Sequence, residues 1–545
     1  MDLIQFLLFY FIILFSIIGY GNLLSKLIKI KFDLSELGFA GLLILILISY
    51  VSNFIFSHSF THNLLIHFVG LLFFFDLFKK EIFQKGILLV ILISFVLFIG
   101  LLMHKTHDDF FYYHFGYTYS LIEYKKIIGL GNLEHGFRTP SSIFYLNSLF
   151  YLPIIELSLI NSGAIFYMIF SNFFLIKKIN YKIINKKLDF ILILSILTLL
   201  FINTIFYRLA EHGTDRSALI LVFILAIYYL EGLNENKRNT YKNFEYYYTR
   251  ILIVILLIVS LKSFYLIYYI FIIIFLFEFR KIVFKKKNLS RILFNKITIL
   301  FIGGTLIFIS AVFSSSGCLI YPASFTCIES FNWSIPKQEV QDMKSWYELW
   351  SKGGADPNSR VQDPDLYLSG FNWVSNWIDI HFFNKISDYL LSLLVISATC
   401  FLVLKNSRNK ITNKKNFKLF YLIVTCLLIE WFINHPALRY GGFTLIALII
   451  FIPLSILLER YIVLRNNFVK KVNFLIICSF IIFFIKNVDR IINENNKYSY
   501  NPIKNPQFFI DEKAFIYDDK ISKIKKINNS KFYIVLTKDL IRKTN

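Results

Sequence analysis

The sequence predicts an all-α membrane protein, a polytopic bundle of about 14 transmembrane helices with about 12 as the lower bound. The 545 residues have a mean hydropathy of +0.60, and 56% of them are hydrophobic, which is more apolar surface than a soluble domain can bury. Apolar runs of about 15 to 22 residues recur from Leu3 to Ile485, and a helix needs about 20 such residues to cross a bilayer. The sequence lacks the apolar/polar alternation, over roughly ten residues, that is typical of membrane β-barrels.

The lysines and arginines divide the loops into two alternating sets. Of the 58 basic residues, 32 lie in the segments 25–36, 79–85, 177–187, 232–250, 280–296, 405–418 and 460–471. Only 13 lie in the alternating segments 57–63, 104–142, 207–216, 262–263, 314–387 and 435–441. Because basic loops stay in the cytoplasm, the second set and both chain termini are predicted outside. Topology thus accounts for the net charge of +23, and we expect no nucleic acid as a partner.

The alternation predicts where the chain crosses the membrane. The predicted segments are 3–24, 37–56, 64–78, 86–103, 160–176, 188–207, 217–231, 248–261, 264–279, 297–314, 388–404, 418–434, 442–459 and 472–487. Segment 141–153 is apolar but too short to cross, so it predicts a re-entrant or interfacial helix. The protein is therefore predicted to be a multi-pass protein whose main partner is the lipid bilayer.

Three regions follow from this map. They are 1–85, additional N-terminal transmembrane helices; 86–487, a transmembrane core with the outside loops 104–142 and 314–387; and 488–545, a polar C-terminal tail on the outside. Within the tail, Lys531–Thr537 has the β-branched and aromatic composition of a single strand.

Two residue types are notable in the loop 314–387. Cys318 and Cys327 both lie in it, which predicts a disulfide in an oxidising compartment, with two free thiols as the alternative. It also holds five of the six tryptophans: Trp333, Trp346, Trp350, Trp373 and Trp377. Their rings are suited either to stacking on the apolar faces of sugars or to anchoring and packing at the membrane interface.

The loop 104–142 begins with the first candidate site. Asp108 and Asp109 lie about five residues beyond the apolar run that ends at Met103, with His107 and His114 on either side. One of these carboxylates can serve as a general base on an acceptor hydroxyl. Alternatively, His107, Asp108 and His114 can ligate a divalent metal such as Mg²⁺ or Mn²⁺, the one cofactor considered. The alternative is that these acids are solvated at a helix end and have no catalytic or binding role.

The other outside loops supply further candidates for binding phosphate. Glu211, Asp215 and Arg216 lie in 207–216, and an arginine can bind phosphate through two parallel hydrogen bonds. The remaining cations of this candidate set are Arg138, Lys262 and Arg439. Anchoring at the membrane surface and internal ion pairs are the alternatives for all of them.

Several soluble-enzyme motifs are absent from the sequence. It contains no Gly-rich phosphate-binding loop ending in Gly-Lys-Ser/Thr, no dinucleotide fingerprint and no His-Glu-x-x-His zinc motif. It also has no large cytoplasmic domain for a nucleotide sugar or ATP. An activated sugar would therefore reach this protein through the bilayer, most simply on a polyprenyl carrier.

The strings HDDFFYYH (107–114) and GLGNLEHGFRTPSS (129–142) resemble an uncharacterised bacterial branch of the GT-C superfamily of polytopic membrane glycosyltransferases. The likeness covers about 86–487 and implies a lipid-linked sugar donor. It also implies that Asp108 or Asp109 is the catalytic acid position and that Arg439 contacts phosphate. Glu211 and Asp215 match the second acidic loop of that family. The chain departs from the family in its three extra N-terminal spans and in lacking a large soluble C-terminal domain.

These features together favour a membrane glycosyltransferase of the cell envelope, acting by hexosyl or pentosyl transfer. It would move a sugar from a polyprenyl-phosphate-linked donor to a glycan or lipid acceptor at the outer (periplasmic) face of the inner membrane. Two alternatives remain open from the sequence. One is a polytopic glycan polymerase or ligase, and the other is a transporter or flippase of lipid-linked substrates.

Overall fold

The chain folds into helices connected by short turns and by two long loops. The computed structural model describes residues 2–78, 81–234, 240–357, 360–406, 417–463, 466–504, 510, 512–528 and 533–542. No strand occurs in these ranges, and the β-type pairing found there is limited to isolated bridges. The predicted all-α class is therefore confirmed for the described chain.

The helices of the first half alternate between long apolar elements and short elements in the loops. They are α1 (Leu3–Ile28), α2 (Leu34–Asn53), α3 (Phe60–Phe75), α4 (Glu81–Phe98), α5 (Phe115–Glu123), α6 (Ser142–Ser148), α7 (Gly163–Ile184), α8 (Phe190–Ile205), α9 (Arg216–Asn234), α10 (Tyr241–Leu261) and α11 (Ile270–Glu278). A five-residue π-helix, Phe110–His114, precedes α5.

The second half continues this alternation. Its helices are α12 (Arg280–Val283), α13 (Lys286–Leu293), α14 (Lys296–Ser316), α15 (Lys337–Gly353), α16 (Pro364–Leu368), α17 (Val374–Trp377), α18 (Ser387–Leu404), α19 (Lys418–Asn434), α20 (Gly442–Glu459), α21 (Asn466–Tyr498), α22 (Ile516–Asn528) and α23 (Lys538–Arg542).

The long apolar helices make this a multi-pass membrane protein. Within the described ranges, eight helical segments are long and apolar enough to cross a bilayer: Leu3–Ile28, Leu34–Asn53, Arg216–Asn234, Tyr241–Leu261, Lys296–Ser316, Val374–Leu404, Gly442–Glu459 and Asn467–Tyr498. Four shorter helices are also apolar: Phe60–Phe75, Gly86–Leu101, Phe190–Ile205 and Ser263–Glu278. The count of about 14 spans stays a prediction.

Ion pairs tie the loops together at each end of the bundle. Four residues define what we call the basic end: Arg250 bonds Glu36 at 2.7 Å, and Lys178 bonds Glu231 at 2.7 Å. All of them lie in or beside segments of the lysine-rich set. The opposite end, which we call the loop end, is where the segments 104–142, 207–216, 314–387 and 435–441 come together. The segments named here therefore separate as the charge pattern predicts, and the grouping of the remaining loops stays a prediction.

Glycines bring the N-terminal helices into direct backbone contact. A Cβ added at Gly41 of α2 would lie 1.8 Å from the carbonyl oxygen of Ile17 in α1. A Cβ at Gly19 of α1 would lie 1.8 Å from the carbonyl oxygen of Gly70 in α3. Small residues at such crossings allow membrane helices to approach closely and gain van der Waals contact. Helices α1, α2 and α3 are therefore in direct contact through these glycines.

All seven residues of the short helix α6 are buried inside the protein, and whether segment 141–153 is re-entrant or interfacial stays a prediction. The physical reason for this burial is that its small hydroxyl groups find partners inside the protein. Ser141 donates to the carbonyl oxygen of Leu261 at 2.6 Å, and Ser260 donates to Ser142 at 2.9 Å.

The predicted strand Lys531–Thr537 is reduced to a single bridge in its described part. Residues 531 and 532 lie outside the described residues. Val535 forms an isolated parallel bridge with Ile128 of the loop 104–142. The amide of Leu536 donates to the carbonyl oxygen of Ile128 at 2.8 Å. No second segment extends the pairing there, but the bridge fastens the tail to the loop end.

The glycine crossing generates a stability prediction. We expect Gly41→Ala to lower the free energy of unfolding by about 1–3 kcal/mol, because its methyl group must push α1 and α2 apart. Gly303→Ala in α14 is the matched control, since a Cβ there meets nothing within 4 Å. The measurement is the thermal unfolding midpoint of both variants in the same detergent. Equal midpoints would contradict the close α1–α2 contact.

Candidate functional site

A cavity of about 350 Å³ opens at the loop end. Its wall is built from six segments that are far apart in the sequence: the loop 104–142, the turn before α9, the turn after α10, the turn at Tyr321 and Pro322 after α14, helix α15 and the turn before α20. The ionisable residues predicted from the sequence that reach this wall are His107, Asp109, His114, Asp215, Lys262 and Arg439. The helices therefore bring together most of the candidate residues.

The tandem aspartates point in different directions. Asp109 begins the π-helix, its amide donates to Nδ1 of His107 at 3.0 Å, and its side chain lines the cavity. The Asp108 side chain is 88% exposed, and its nearest ion-pair partner is Lys105 at 3.6 Å. Asp108 is thus not brought into the cavity, because neighbouring residues in this turn project to opposite sides. For the metal set predicted from the sequence, the structure offers Asp109 in its place.

His107, Asp109 and His114 form a compact cluster. One ligand atom from each residue lies within 4.8 Å of the other two. The π-helix helps to form this arrangement, because its wide turn joins the amide of His114 to the carbonyl oxygen of Asp109 at 3.3 Å. Helical turns of this kind are rare and often occur at functional sites.

Burial lowers the pKa of both imidazoles of this cluster. Loss of solvent lowers the pKa of His114 well below its usual value, and the neighbouring His107, Lys262 and Arg439 side chains lower it further. Loss of solvent also lowers the pKa of His107, although Asp109 acts in the opposite direction. A neutral imidazole has a lone pair free to bind a metal or accept a proton.

Arg439 is held between two aromatic rings at the cavity wall. Its guanidinium carbon lies 4.2 Å from the ring centroid of Trp350 and 4.9 Å from that of Tyr440. Its Nη2 donates to the hydroxyl of Tyr440 at 2.8 Å, while its buried Nε has no partner in the described chain. Burial alone would lower the pKa of Arg439, but Tyr440 and Asp215 raise it overall. A cation with an unused donor in a cavity suits an anionic ligand.

The two acids of the cavity differ in their partners. Asp215 accepts from Nζ of Lys262 at 2.7 Å, and that ammonium also lies 4.5 Å from the ring centroid of Tyr440. Asp109 has no lysine or arginine within ion-pair distance among the described residues, and its nearest basic group is Nδ1 of His107 at 3.7 Å. Asp109 is therefore the carboxylate that remains available for a ligand.

Three other predicted phosphate-site residues stand outside this wall. Glu211 forms an ion pair with Arg490 at 2.5 Å. Arg216 lies next to this pair rather than on the cavity wall. Arg138 donates to Glu339 at 2.5 Å and so joins the loop 104–142 to α15. Partners that are distant in the sequence thus hold Glu211 and Arg138 in structural roles, whereas the buried Nη1 of Arg216 has no hydrogen-bond partner in the described chain.

The tryptophans of 314–387 divide between two environments. Trp346 and Trp350, four residues apart on α15, share a helix face that lines the cavity. Trp373 and Trp377 instead pack on Phe432, each with its ring centroid at 5.3 Å. The packing interpretation is therefore confirmed for Trp373 and Trp377, and sugar stacking by Trp346 and Trp350 stays a prediction. The spacing of four on an amphipathic helix is the signal that distinguishes the cavity pair.

A disulfide joins Cys318 and Cys327, as the sequence predicts. The two cysteines flank Tyr321, whose side chain lines the cavity and whose hydroxyl accepts from Arg138 at 3.3 Å. The disulfide thus closes the short loop that presents this tyrosine.

Helix α21 anchors the start of the loop 104–142, a contact that sequence reasoning missed. The Oε2 atom of Glu494 accepts from the backbone amides of His104 at 2.6 Å and Lys105 at 3.2 Å. One turn earlier on the same helix, Arg490 donates to Glu211 in the segment 207–216 at 2.5 Å. The only signal of this contact in the sequence is that Arg490 and Glu494 lie four residues apart, beyond the apolar part of α21. This helix therefore supports two of the loops that surround the cavity.

Comparison with known proteins identifies one family. A family model described as a domain of unknown function (DUF8201) matches residues 3–447. The match covers all the residues that line the cavity, and it ends before α21 and the tail. No curated protein and no solved structure matches the chain.

The α21 anchor generates a prediction about local stability. We expect Glu494→Ala to speed hydrogen exchange of the amides between His104 and Asp109 by about 5- to 150-fold, since about 1–3 kcal/mol of hydrogen bonding to a carboxylate is lost. Asp489→Ala, an acid on the same helix whose recorded side-chain bond is to Asn493, is the matched control. Hydrogen exchange with mass spectrometry is the measurement. Unchanged exchange in both variants would contradict the anchor.

Proposed function

This chain belongs to the DUF8201 family, and we propose that it is a membrane glycosyltransferase. It moves a sugar from a polyprenyl-phosphate-linked donor to a glycan or lipid acceptor at the outer face of the inner membrane. The observation that supports this most is that one cavity holds both Asp109, a carboxylate without a lysine or arginine partner in the described chain, and Arg439, an arginine with an unused donor. The cavity opens at the end of a bundle of apolar helices, where a lipid-borne substrate can arrive from the bilayer.

The reaction requires one proton acceptor and one site for the leaving group. The acceptor hydroxyl attacks the anomeric carbon, and its proton passes to Asp109. The bond between the anomeric carbon and the phosphate oxygen breaks, and its electron pair stays on the polyprenyl phosphate. A single displacement of this kind inverts the anomeric configuration. The products are a new glycoside and polyprenyl phosphate, with the proton on Asp109.

Arg439 is suited to the leaving phosphate because its position is fixed before the substrate binds. The rings of Trp350 and Tyr440 hold the guanidinium in place, so little reorganisation is needed as negative charge develops. Lys262 stands beside it but is already paired with Asp215, so it contributes less net charge. The wall as a whole carries three cations, the third being Lys344, against two carboxylates. This excess of positive charge attracts an anionic donor.

The aromatic residues of α15 support a sugar as the substrate. Trp346 and Tyr347 line the cavity on the side of the loop 104–142, and the Trp346 ring lies 5.5 Å from that of His135. Tyr112 lines the same side. Flat aromatic surfaces bind the apolar faces of pyranose rings. The cavity therefore combines a stacking surface with a base and an anion site.

The adjacent aspartates offer a matched pair of variants for the proposed base. We expect Asp109→Asn to lower sugar transfer by about 10²- to 10⁴-fold, because the proton acceptor is removed. Asp108→Asn should stay close to the wild type, since that side chain is solvated. The assay uses proteoliposomes supplied with radiolabelled polyprenyl-phosphate hexoses and pentoses and with membrane glycolipid acceptors. Full transfer by the Asp109→Asn variant would remove the base from the mechanism.

The phosphate site is tested by binding of polyprenyl phosphate itself. We expect Arg439→Gln to weaken binding about 10- to 100-fold, the effect of losing about 1.5–3 kcal/mol from a charged hydrogen bond. Arg208→Gln, an arginine at the loop end but outside the cavity wall, is the control. Native mass spectrometry of the protein in nanodiscs measures both. Equal affinities would contradict the site, and a preference for polyprenyl pyrophosphate would favour a polymerase or ligase.

A further inference from the structure

We infer that His107, Asp109 and His114 bind one divalent transition-metal cation of the Zn²⁺ or Fe²⁺ class. The inference stands on the geometry of this cluster and does not rest on the proposed sugar transfer. It differs from the sequence expectation in the carboxylate, which is Asp109 rather than Asp108, and in the metal, since two imidazoles and one carboxylate suit Zn²⁺ or Fe²⁺ better than Mg²⁺.

The spacing of the ligand atoms is close to that of a metal site. The three atoms lie within 4.8 Å of one another. Ligands about 2.0–2.2 Å from a tetrahedral ion stand about 3.3–3.6 Å apart. The three ligand atoms must therefore move somewhat closer together to hold an ion.

His114 supplies an independent indication that a ligand belongs here. Its side chain lines the cavity and is almost fully buried, and its Nε2 atom has no hydrogen-bond partner within the described chain. A buried polar atom without a partner costs about 1–3 kcal/mol, so such atoms are rare in native proteins. A metal ion would engage this nitrogen.

The surrounding packing holds both imidazoles in place. The His114 ring packs edge-on against Tyr113, at 4.4 Å between centroids, and lies 5.1 Å from Phe144. The His107 ring lies against the turn at Gly213, where an added Cβ would stand 2.9 Å from His107 Cδ2. Gly213 has a φ of +56°, a conformation that also favours glycine. Fixed ligands lower the entropic cost of binding an ion.

The donor set selects the type of metal. Two imidazole nitrogens and one carboxylate favour zinc and iron, whereas magnesium and calcium prefer a shell made of oxygen atoms. Three protein ligands leave one or more positions open, and here these positions face the cavity. Arg439 and Lys262 lie near enough to repel a cation, so we expect weaker binding than at a structural zinc site.

The metal site and the proposed base can share Asp109. A carboxylate has two oxygens, and an ion bound to one of them leaves the second oxygen for the acceptor hydroxyl. The two hypotheses nevertheless separate by experiment, since His114 contributes to the metal site and has no part in the proton transfer.

The test is metal binding by the full-length protein in nanodiscs, after removal of metals with a chelator. We expect the wild type to take up about one equivalent of Zn²⁺, measured by elemental mass spectrometry, and to show Co²⁺ absorption bands of a low-coordinate site. His107→Gln and His114→Gln should each weaken Zn²⁺ binding at least 10-fold, as loss of one of three ligands requires. Mg²⁺ in 100-fold excess should not displace Zn²⁺.

Two matched controls keep the test specific. Asp108→Asn removes a neighbouring acid, and His135→Gln removes another imidazole of the cavity wall, so both should bind Zn²⁺ like the wild type. Overlapping unfolding curves show that the variants fold, and if one histidine variant does not fold, the other decides. Absence of Zn²⁺ uptake by the wild type, unchanged uptake by both histidine variants, or displacement by Mg²⁺ would overturn the site. None of these measurements depends on sugar transfer.

Discussion

A charged side chain is costly within the hydrocarbon layer, and the rest of this structure depends on that constraint. The apolar helices therefore carry their ionisable residues to the two ends of the bundle. At one end these residues neutralise one another, as Arg250 does with Glu36 and Lys178 with Glu231. At the other end the charges outnumber their partners. Asp109 has no lysine or arginine partner in the described chain, Arg439 keeps an unused donor, and both side chains line the cavity.

The residues that converge could be predicted because topology alone limits where a loop can be. Asp109, Asp215, Lys262 and Arg439 lie up to about 330 residues apart, yet the alternation of basic loops assigns them to one side of the membrane. Helices of similar length then end at a similar depth, so loops on one side come close together. The alternation of apolar segments and basic loops therefore predicts the fold class, the side on which each loop lies and part of the site.

Other features depended on contacts that no local pattern reveals. Asp108 and Asp109 are adjacent residues of the same type, so the sequence does not show which of them lines the cavity. The structure assigns that position to Asp109, which begins the π-helix. Glu211 and Arg138 look like binding residues until their partners Arg490 and Glu339 are known, and those partners lie about 200 or more residues away. The buried state of α6 likewise depends on the carbonyl groups of a distant helix.

The anchor provided by α21 affects how shortened forms of this protein will behave. The segment shared with the DUF8201 family ends at residue 447, and a chain cut after α20 would retain every residue of the cavity wall. Such a chain would lack Glu494 and Arg490, and the segments 104–142 and 207–216 would lose the hydrogen bonds that these two residues provide. Deletion mapping would then assign any activity to the C-terminal region, although every residue of the cavity wall lies before it. Topology reporters fused within α21 carry the same hazard, so a fusion point beyond Tyr498 is the safer choice.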